Sequence, residues 1–302
     1  MNRRTFSRLS LAGAASLTTA DLMAQNKETH SSFKAKFGPS INQLPTAPKG
    51  YLAQLQFAMD LGFRGWEDNW LIRQKPELWE KIGNFAKEKK LSLGVSVITV
   101  GHGLDFSNPG KAGLAKLEAD MKKGVQLAKA TGQTCMTMLP GSRNDMPREE
   151  QIKKSVDTMK RCCDIVEESG IILCQEPLSH NIAGKPPLVR SFADGHLLCK
   201  LVNRKSCKLL ADFYHEGEIS PGISGEKLIA NAEAVWDQVA YVQYGDSPGR
   251  KEPGTGKLDL GAVTKWLRKK GYTGVIGMEH GVKGNGAEGL KNLLAAYRKI
   301  DA

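Results

Sequence analysis

Four polar side chains close four successive apolar runs. Glu176 follows Ile-Ile-Leu-Cys-Gln, Asp212 follows Lys-Leu-Leu-Ala, Gln243 follows Val-Ala-Tyr-Val, and Glu279 follows Val-Ile-Gly-Met. A charged or amide group at the end of an apolar strand is costly to bury unless it is paired or bound to a metal. One such acid is explained by a helix cap or a salt bridge; four at equivalent places call for a shared site. Three carboxylates and one amide oxygen make a hard, oxygen-rich ligand set. It fits Mg²⁺ or Mn²⁺ better than zinc, whose sites lean on His and Cys.

These side chains can meet only if the runs that carry them lie side by side. Short apolar runs recur at about 36–41, 63–67, 92–98, 133–139, 171–176, 207–212, 239–244 and 273–279. Stretches of helical period separate them, near 49–61, 76–89, 110–130, 148–169, 187–203, 225–234, 258–270 and 286–300. Several helices stop at glycine, as in Leu61-Gly62, Thr131-Gly132, Ser169-Gly170 and Lys270-Gly271. Eight βα units predict a single-domain α/β protein, a (β/α)8 TIM barrel over 36–302, whose C-terminal strand ends share one mouth. A doubly wound open sheet would begin with a glycine-rich phosphate turn, and Ser40-Ile41-Asn42-Gln43-Leu44 has none.

Other strand ends add candidates. Strand two ends in Phe63-Arg64-Gly65-Trp66-Glu67, and strand three leads to His102 and Asp105. His180 lies four residues after Glu176 and His215 three after Asp212, while Arg250 follows strand seven. Glu67 either lines the pocket or pairs with an arginine inside the barrel. Arg250 either clamps a substrate carboxylate or is an exposed loop arginine. The two histidines either reach substrate oxygens or are structural. Trp66, Trp70 and Phe106 either wall the pocket or simply pack. The glycine-dense Lys251–Lys257 loop lacks the P-loop spacing.

The run Val242-Gln243-Tyr244-Gly245-Asp246-Ser247-Pro248-Gly249-Arg250-Lys251-Glu252-Pro253-Gly254-Thr255-Gly256 resembles the strand-seven signature of the hydroxypyruvate isomerase family, within the xylose isomerase-like TIM-barrel superfamily. Glu176-Pro177-Leu178-Ser179-His180 is similar to its E-P-x-x-H segment, Asp212-Phe213-Tyr214-His215 to its D-x-Y-H segment, and the strand-two run to F-x-G-x-E. The resemblance implies a divalent metal held by Glu176, Asp212, Gln243 and Glu279. It implies Glu176 and Glu279 as the proton-shuttling pair, and His215 and Arg250 facing substrate; Glu67, His102 and His180 are further substrate-side candidates from their places at or after strand ends. The implied reaction interconverts an α-hydroxy ketone and aldehyde (hydroxypyruvate to tartronate semialdehyde in type) through an enediolate. Gln243 stands where sugar epimerases of the superfamily often place His. Glu67-Asp68-Asn69-Trp70 and Gly101-His102-Gly103-Leu104-Asp105 depart from the family pattern and point to a different pocket. Alternatives are a ketose 3-epimerase or polyol dehydratase of the same superfamily, or a barrel that binds a sugar without turning it over.

Composition bounds the rest. The 302 residues are 40% hydrophobic and 25% charged, as in ordinary globular proteins. Asn2-Arg3-Arg4-Thr5-Phe6 followed by the short apolar stretch Leu9–Thr19 reads as a twin-arginine export signal over 1–24. It is too short to span a bilayer as a mature helix. Cleavage near Ala24-Gln25, or retention as an anchor, predicts a periplasmic or membrane-associated protein; a non-functional leader leaves it cytoplasmic. Residues 25–35 read as a linker. The net charge of +11 is spread over helix faces and helix C-termini, so a small sugar or hydroxy-carbonyl partner is expected rather than nucleic acid. Homo-oligomerisation is open. A zinc-cluster endonuclease on the same barrel needs more strand-end histidines than the six present. The six cysteines contain no C-x-x-C pair and read as free thiols.

Overall fold

The computed structural model describes residues 32–98, 104–181 and 184–302. Eight strands alternate with helices: β1 Lys36–Gly38, β2 Gly65–Trp66, β3 Ser92–Leu93, β4 Cys135–Met138, β5 Ile172–Gln175, β6 Cys207–Asp212, β7 Val239–Tyr244 and β8 Val275–Met278. Six pair in parallel in the order β1-β8-β7-β6-β5-β4, and β2 pairs with β3. Isolated backbone bonds close the two seams. Glu67 N donates to Pro39 O at 3.0 Å, joining β2 to the end of β1. Ile98 N donates to Thr137 O, and Thr137 N to Ser96 O, both at 2.9 Å, joining the chain after β3 to β4. The ring is thus continuous, as the eightfold alternation predicts.

Nine α-helices surround it: α1 Tyr51–Asp60, α2 Pro76–Lys89, α3 Gly110–Thr131, α4 Arg148–Val166, α5 Phe192–Val202, α6 Phe213–Ile219, α7 Gly225–Val235, α8 Leu260–Lys269 and α9 Gly286–Ile300, among the described residues. Helix α2 shows how the sequence builds them. Pro76 opens it where an N–H is not needed, Glu77 lies in its first turn, and Lys87 and Lys89 lie in its last. Trp79, Ile82, Gly83 and Ala86 form its buried stripe. Ser191, Ser224 and Asp259 cap α5, α7 and α8 through their side chains. Gly132 and Gly170 end their helices at φ of 78° and 74°, the left-handed region that glycine enters freely.

Two expectations change and one alternative resolves. The extended runs over 63–67 and 92–98 shrink to two-residue strands, because the barrel closes there by isolated bridges. Packing begins at Phe33, inside the expected linker: its ring stacks on Phe63 at 4.8 Å, and Lys34 N and Ala35 N donate to Asp301. Trp66 and Phe106 are core residues, each 1% exposed, and do not wall a pocket. The expected leader, residues 1–24, lies outside the described residues. All six cysteines are free thiols, and no described helix is long and apolar enough to cross a membrane.

Candidate functional site

Strands β5 to β8 end at the barrel's C-terminal mouth, and each delivers one of the four residues. Asp212 is fully buried and does two jobs. Its Oδ1 accepts from Tyr214 N at 2.8 Å, capping α6. Its Oδ2 lies 3.0 Å from Arg250 Nη2 and 3.5 Å from His215 Nε2. Burial pushes the Asp212 carboxyl up to about 7 although Arg250 works against this. Glu176 is also buried, and burial together with the Glu279 charge raises its carboxyl well above the ordinary range. Such crowding of acids in a low-dielectric place is itself a mark of a functional site.

His215 sits one helical turn from Asp212 on α6, so both face the same point. Its Nδ1 accepts from the Ser179 main-chain N–H at 3.2 Å and contacts Ser179 Oγ at 2.8 Å. A backbone N–H can only donate, so Nδ1 is unprotonated and Nε2 carries the ring hydrogen. Burial and Arg250 lower the ring to about 2, so it stays neutral. The Nε2 atom points at Glu176, 3.9 Å away, and Asp212. Ligand atoms of Glu176, Asp212 and His215 all lie within 4.8 Å of one another. This spacing suits an ion, but the tautomer makes His215 a hydrogen donor into the site rather than a ligand.

Arg250 is not an exposed loop arginine: it borders the mouth and is tied to two of its acids. Its Nη2 bridges Asp212 Oδ2 and Glu279 Oε1, the latter at 3.3 Å; its Nε donates to Glu279 O at 2.9 Å, and its guanidinium lies 4.6 Å from the Tyr214 ring centroid. Burial opposes the charge, but Glu279, Asp212 and Glu176 together hold it above the ordinary arginine range. The loop bearing it is organised by Asp246, which is fully buried. Its carboxylate accepts from Gly254 N at 2.7 Å and Leu258 N at 3.0 Å. A Cβ on Gly256 would lie 2.5 Å from Ser247 O, which accounts for that glycine.

Among the described residues Glu67 has no arginine partner. It accepts from Tyr241 Oη at 2.7 Å and from Gln243 Nε2 at 3.1 Å. Burial, then the Glu279 charge, raise its carboxyl well above the ordinary range. His180 is exposed, 5.3 Å ring to ring from His215. His102 lies outside the described residues. Asp105 turns back to Ser107 and Arg143 and is not part of this cluster.

Two sequence-silent residues matter. Gln43 Nε2 donates to both Met278 O (2.7 Å) and His280 O (2.8 Å), clamping the backbone on either side of Glu279. Asn69 presents a buried Oδ1 without a hydrogen-bond partner among the described residues. The mouth has two lobes. One, of 320 Å³, is lined by Glu176, Glu279, His180, Asn181 and the apolar Val97, Leu139 and Leu178; the other, of 400 Å³, runs past Ser40, Glu67 and His280. Asn69, Trp70, Arg250 and Glu279 border both. A larger cavity of 690 Å³ opens on the other end of the barrel, beside Lys87, Lys129 and Tyr272. It holds none of the four residues, and barrels of this kind work at the C-terminal end.

The residues present fit a divalent cation. Gln243 Oε1 and Glu279 Oε2 are buried oxygens with no hydrogen-bond partner among the described residues. Orphaned atoms of this sort are rare in folded proteins unless a ligand answers them. Glu176 and Asp212 add carboxylate oxygens beside them, which completes a hard oxygen set.

A closed parallel barrel whose strand-five-to-eight ends gather Glu, Asp, Gln and Glu defines a (β/α)8 protein with a buried acidic mouth, consistent with an isomerase. Over residues 55–300 the chain matches the family profile described as xylose isomerase-like TIM barrel, and it belongs to that family. It is 25% identical over 247 residues to hydroxypyruvate isomerase of Escherichia coli (strain K12), covering 76% of this chain and 87% of that protein. A relative from Streptomyces coelicolor is 27% identical over 169 residues, 55% of this chain and 59% of that protein. Among solved structures, the E. coli 3-keto-D-glucoside 4-epimerase YcjR superposes with a TM-score of 0.68 at 20% identity, over 88% of this chain and 99% of that one. The IOLI protein with a bound zinc atom gives 0.63 at 18% identity, over 87% and 96%.

Proposed function

We propose that the protein is a divalent cation-dependent isomerase of a sugar-like α-hydroxy carbonyl compound, moving a proton between adjacent carbons. The observation that carries this reading is the convergence of Glu176, Asp212, Gln243 and Glu279 on one mouth with buried, unanswered polar atoms. The names of the relatives, isomerases and epimerases, agree with it. Glu176, Asp212, Gln243 and Glu279 would hold the cation, Mg²⁺ or Mn²⁺ by donor type. When bound, the cation supplies positive charge beside the substrate's carbonyl and hydroxyl oxygens, where negative charge develops.

The chain's own groups do the rest. Glu176 and Glu279 line the same lobe. One takes the proton from the carbon beside the carbonyl, and the C–H electron pair moves into the carbon–carbon bond of an enediolate. The other delivers a proton to the former carbonyl carbon, while the proton of the first carbon's hydroxyl passes to the former carbonyl oxygen, so the carbonyl shifts by one position. A pair with coupled charges shares these jobs according to the direction of reaction. His215, fixed with its hydrogen on Nε2, donates to a substrate oxygen. Arg250 holds Glu279 in place through both its side chain and its carbonyl.

A second reading is epimerisation of a larger keto-sugar, favoured by the two joined lobes. Cavities of 320 and 400 Å³ match the size range that encloses ligands well beyond three carbons. NMR of products formed in D₂O decides between the two. Deuterium at the carbon that was the carbonyl supports isomerisation; deuterium retained at an inverted carbon supports epimerisation; no incorporation in any hydroxy-carbonyl sugar counts against proton transfer altogether.

The Arg3-Arg4 leader supports export by the twin-arginine route. Cell fractionation of the native chain against an Arg3→Lys/Arg4→Lys variant tests this, and equal distribution of the two would refute it.

A further inference from the structure

Resting on the cation reading above, we infer that Glu67 is a positioning residue: it orients the Gln243 amide so that Oε1 faces the cation site. Glu67 stands at the end of β2 and Gln243 on β7, 176 positions apart in sequence. Glu67 Oε1 accepts from Gln243 Nε2 at 3.1 Å, and Glu67 Oε2 accepts from Tyr241 Oη at 2.7 Å. Both oxygens are therefore occupied inside the barrel, and Glu67 is 2% exposed. An amide has one donor end and one acceptor end. With Nε2 committed to Glu67, Oε1 is the end left over, and it is a buried atom without a hydrogen-bond partner among the described residues.

The surroundings hold this arrangement in one geometry. A Cβ on Gly277 of β8 would collide with Glu67 Oε2, so the missing side chain at that position makes room for the carboxyl group. Tyr241 lies on the same strand as Gln243, two residues before it, and is itself 3% exposed. Its hydroxyl fixes the second oxygen and removes the freedom of the carboxyl group to rotate. Outer partners of this type commonly set the orientation of a metal's ligands. An amide free to turn would have to give up that freedom when the cation binds, because an N–H cannot ligate.

On this inference Glu67 acts through Gln243 rather than by touching substrate or carrying a proton. The test is Mn²⁺ affinity, measured by electron paramagnetic resonance or titration calorimetry on the whole chain, with the melting temperature as a fold control. Glu67→Leu removes the acceptor at nearly constant volume and is expected to weaken Mn²⁺ binding about 10–100-fold. Glu67→Gln keeps an oxygen for Gln243 Nε2 by turning its own amide nitrogen to the Tyr241 oxygen. It is expected to rescue affinity to within about threefold of the native chain, since the ligand orientation survives. In a Gln243→Met background, Glu67→Leu should cost almost nothing further, as two residues acting through one contact are not additive. If Glu67→Leu does not fold, Glu67→Met fills the same space and carries the same test.

Unchanged affinity in Glu67→Leu, or fully additive losses in the double variant, overturns the inference. So does a collapse of turnover in Glu67→Gln at unchanged Mn²⁺ affinity, which would give Glu67 a proton to carry. A native chain that takes up no Mn²⁺ is a separate result: it removes the cation reading, and this inference goes with it.

Discussion

Arg250 Nη2 lies 3.0 Å from Asp212 Oδ2, an acid with no exposed surface. The same nitrogen is 3.3 Å from Glu279, so one protein cation already spans two acids of the mouth. The arginine reaches this place because its loop takes a left-handed turn at Arg250 itself, with φ of 47°, braced by Arg250 N donating to Asp246 O at 2.9 Å.

Replacing Arg250 by Gln leaves Asp212 and Glu279 facing each other uncompensated. Stripping one partner from a fully buried pair costs about 3–5 kcal/mol. Arg250 keeps a quarter of its side chain exposed, so roughly 2 kcal/mol is expected after allowing for solvent screening. Saturating Mn²⁺ should recover part of that loss, because a second positive charge answers the same acids. Urea denaturation with and without Mn²⁺ checks this; equal destabilisation in both conditions would show that Arg250 and the cation do not share the acids.

Glu176→Gln and Glu279→Gln keep volume and hydrogen-bonding capacity but remove proton transfer. Each should lower kcat by about 10²–10⁴-fold, the usual worth of a positioned acid or base. The melting temperature should hold or rise, since the acids crowd one another: Glu176 is raised partly by Glu279. Near-native turnover in either variant excludes that residue from the pair.

Chelation should abolish turnover, and Mn²⁺ or Mg²⁺ should restore it. A ligand bound only by the folded chain adds stability by mass action, about 2.7 kcal/mol at a hundredfold excess over Kd. Thermal melts across a Mn²⁺ series should therefore rise without reaching a plateau at one equivalent. A melt that shifts while turnover stays indifferent to the cation would favour a binding barrel over an enzyme.

His280 links acid to stability. Its Nε2 lies 2.6 Å from Tyr297 Oη and its Nδ1 2.8 Å from Gly281 O. The carbonyl can only accept, so Nδ1 donates and Nε2 accepts from the tyrosine; a second ring proton would break that bond. Burial lowers the ring from 6.5 to about 4. Below pH 6.5 the unfolded chain takes up a proton that the folded ring refuses until about pH 4. Stability from this group is present above pH 6.5 and is lost as pH falls between those values, by roughly 3 kcal/mol. His280→Gln should flatten that part of the urea-midpoint profile; an equal acid slope in both proteins assigns the loss elsewhere.

Gly83 inverts the usual helix rule. Alanine in a helix interior is ordinarily better than glycine by about 1 kcal/mol. Here α2 approaches α3 so closely that a Cβ would strike the Ala130 carbonyl oxygen and lie 2.9 Å from Thr131 Cα. Backbone cannot step aside as a side chain can, so Gly83→Ala should destabilise by about 1–3 kcal/mol. A gain in urea midpoint would mean that the helices are farther apart than this.

The amino-acid order by itself determined the barrel and the four polar side chains that close its last four strands. Strand and helix periods are local properties, and a polar residue closing each of four apolar runs is visible without any contact. Helix α2 keeps the bounds read from its pattern, 76–89, and β6 and β7 keep theirs. What each group does with its remaining atoms was decided only by closure of the ring. Glu67 meets Gln243 across 176 residues and Tyr241 across 174. Ser179 sets the His215 tautomer from a different loop, and Gln43 clamps β8 from the chain after β1. Hydrogen bonds are directional and each donor hydrogen serves one main acceptor, so the choice of partner depends on where folding brings the competing acceptors. Spacing along the chain carries no record of that competition.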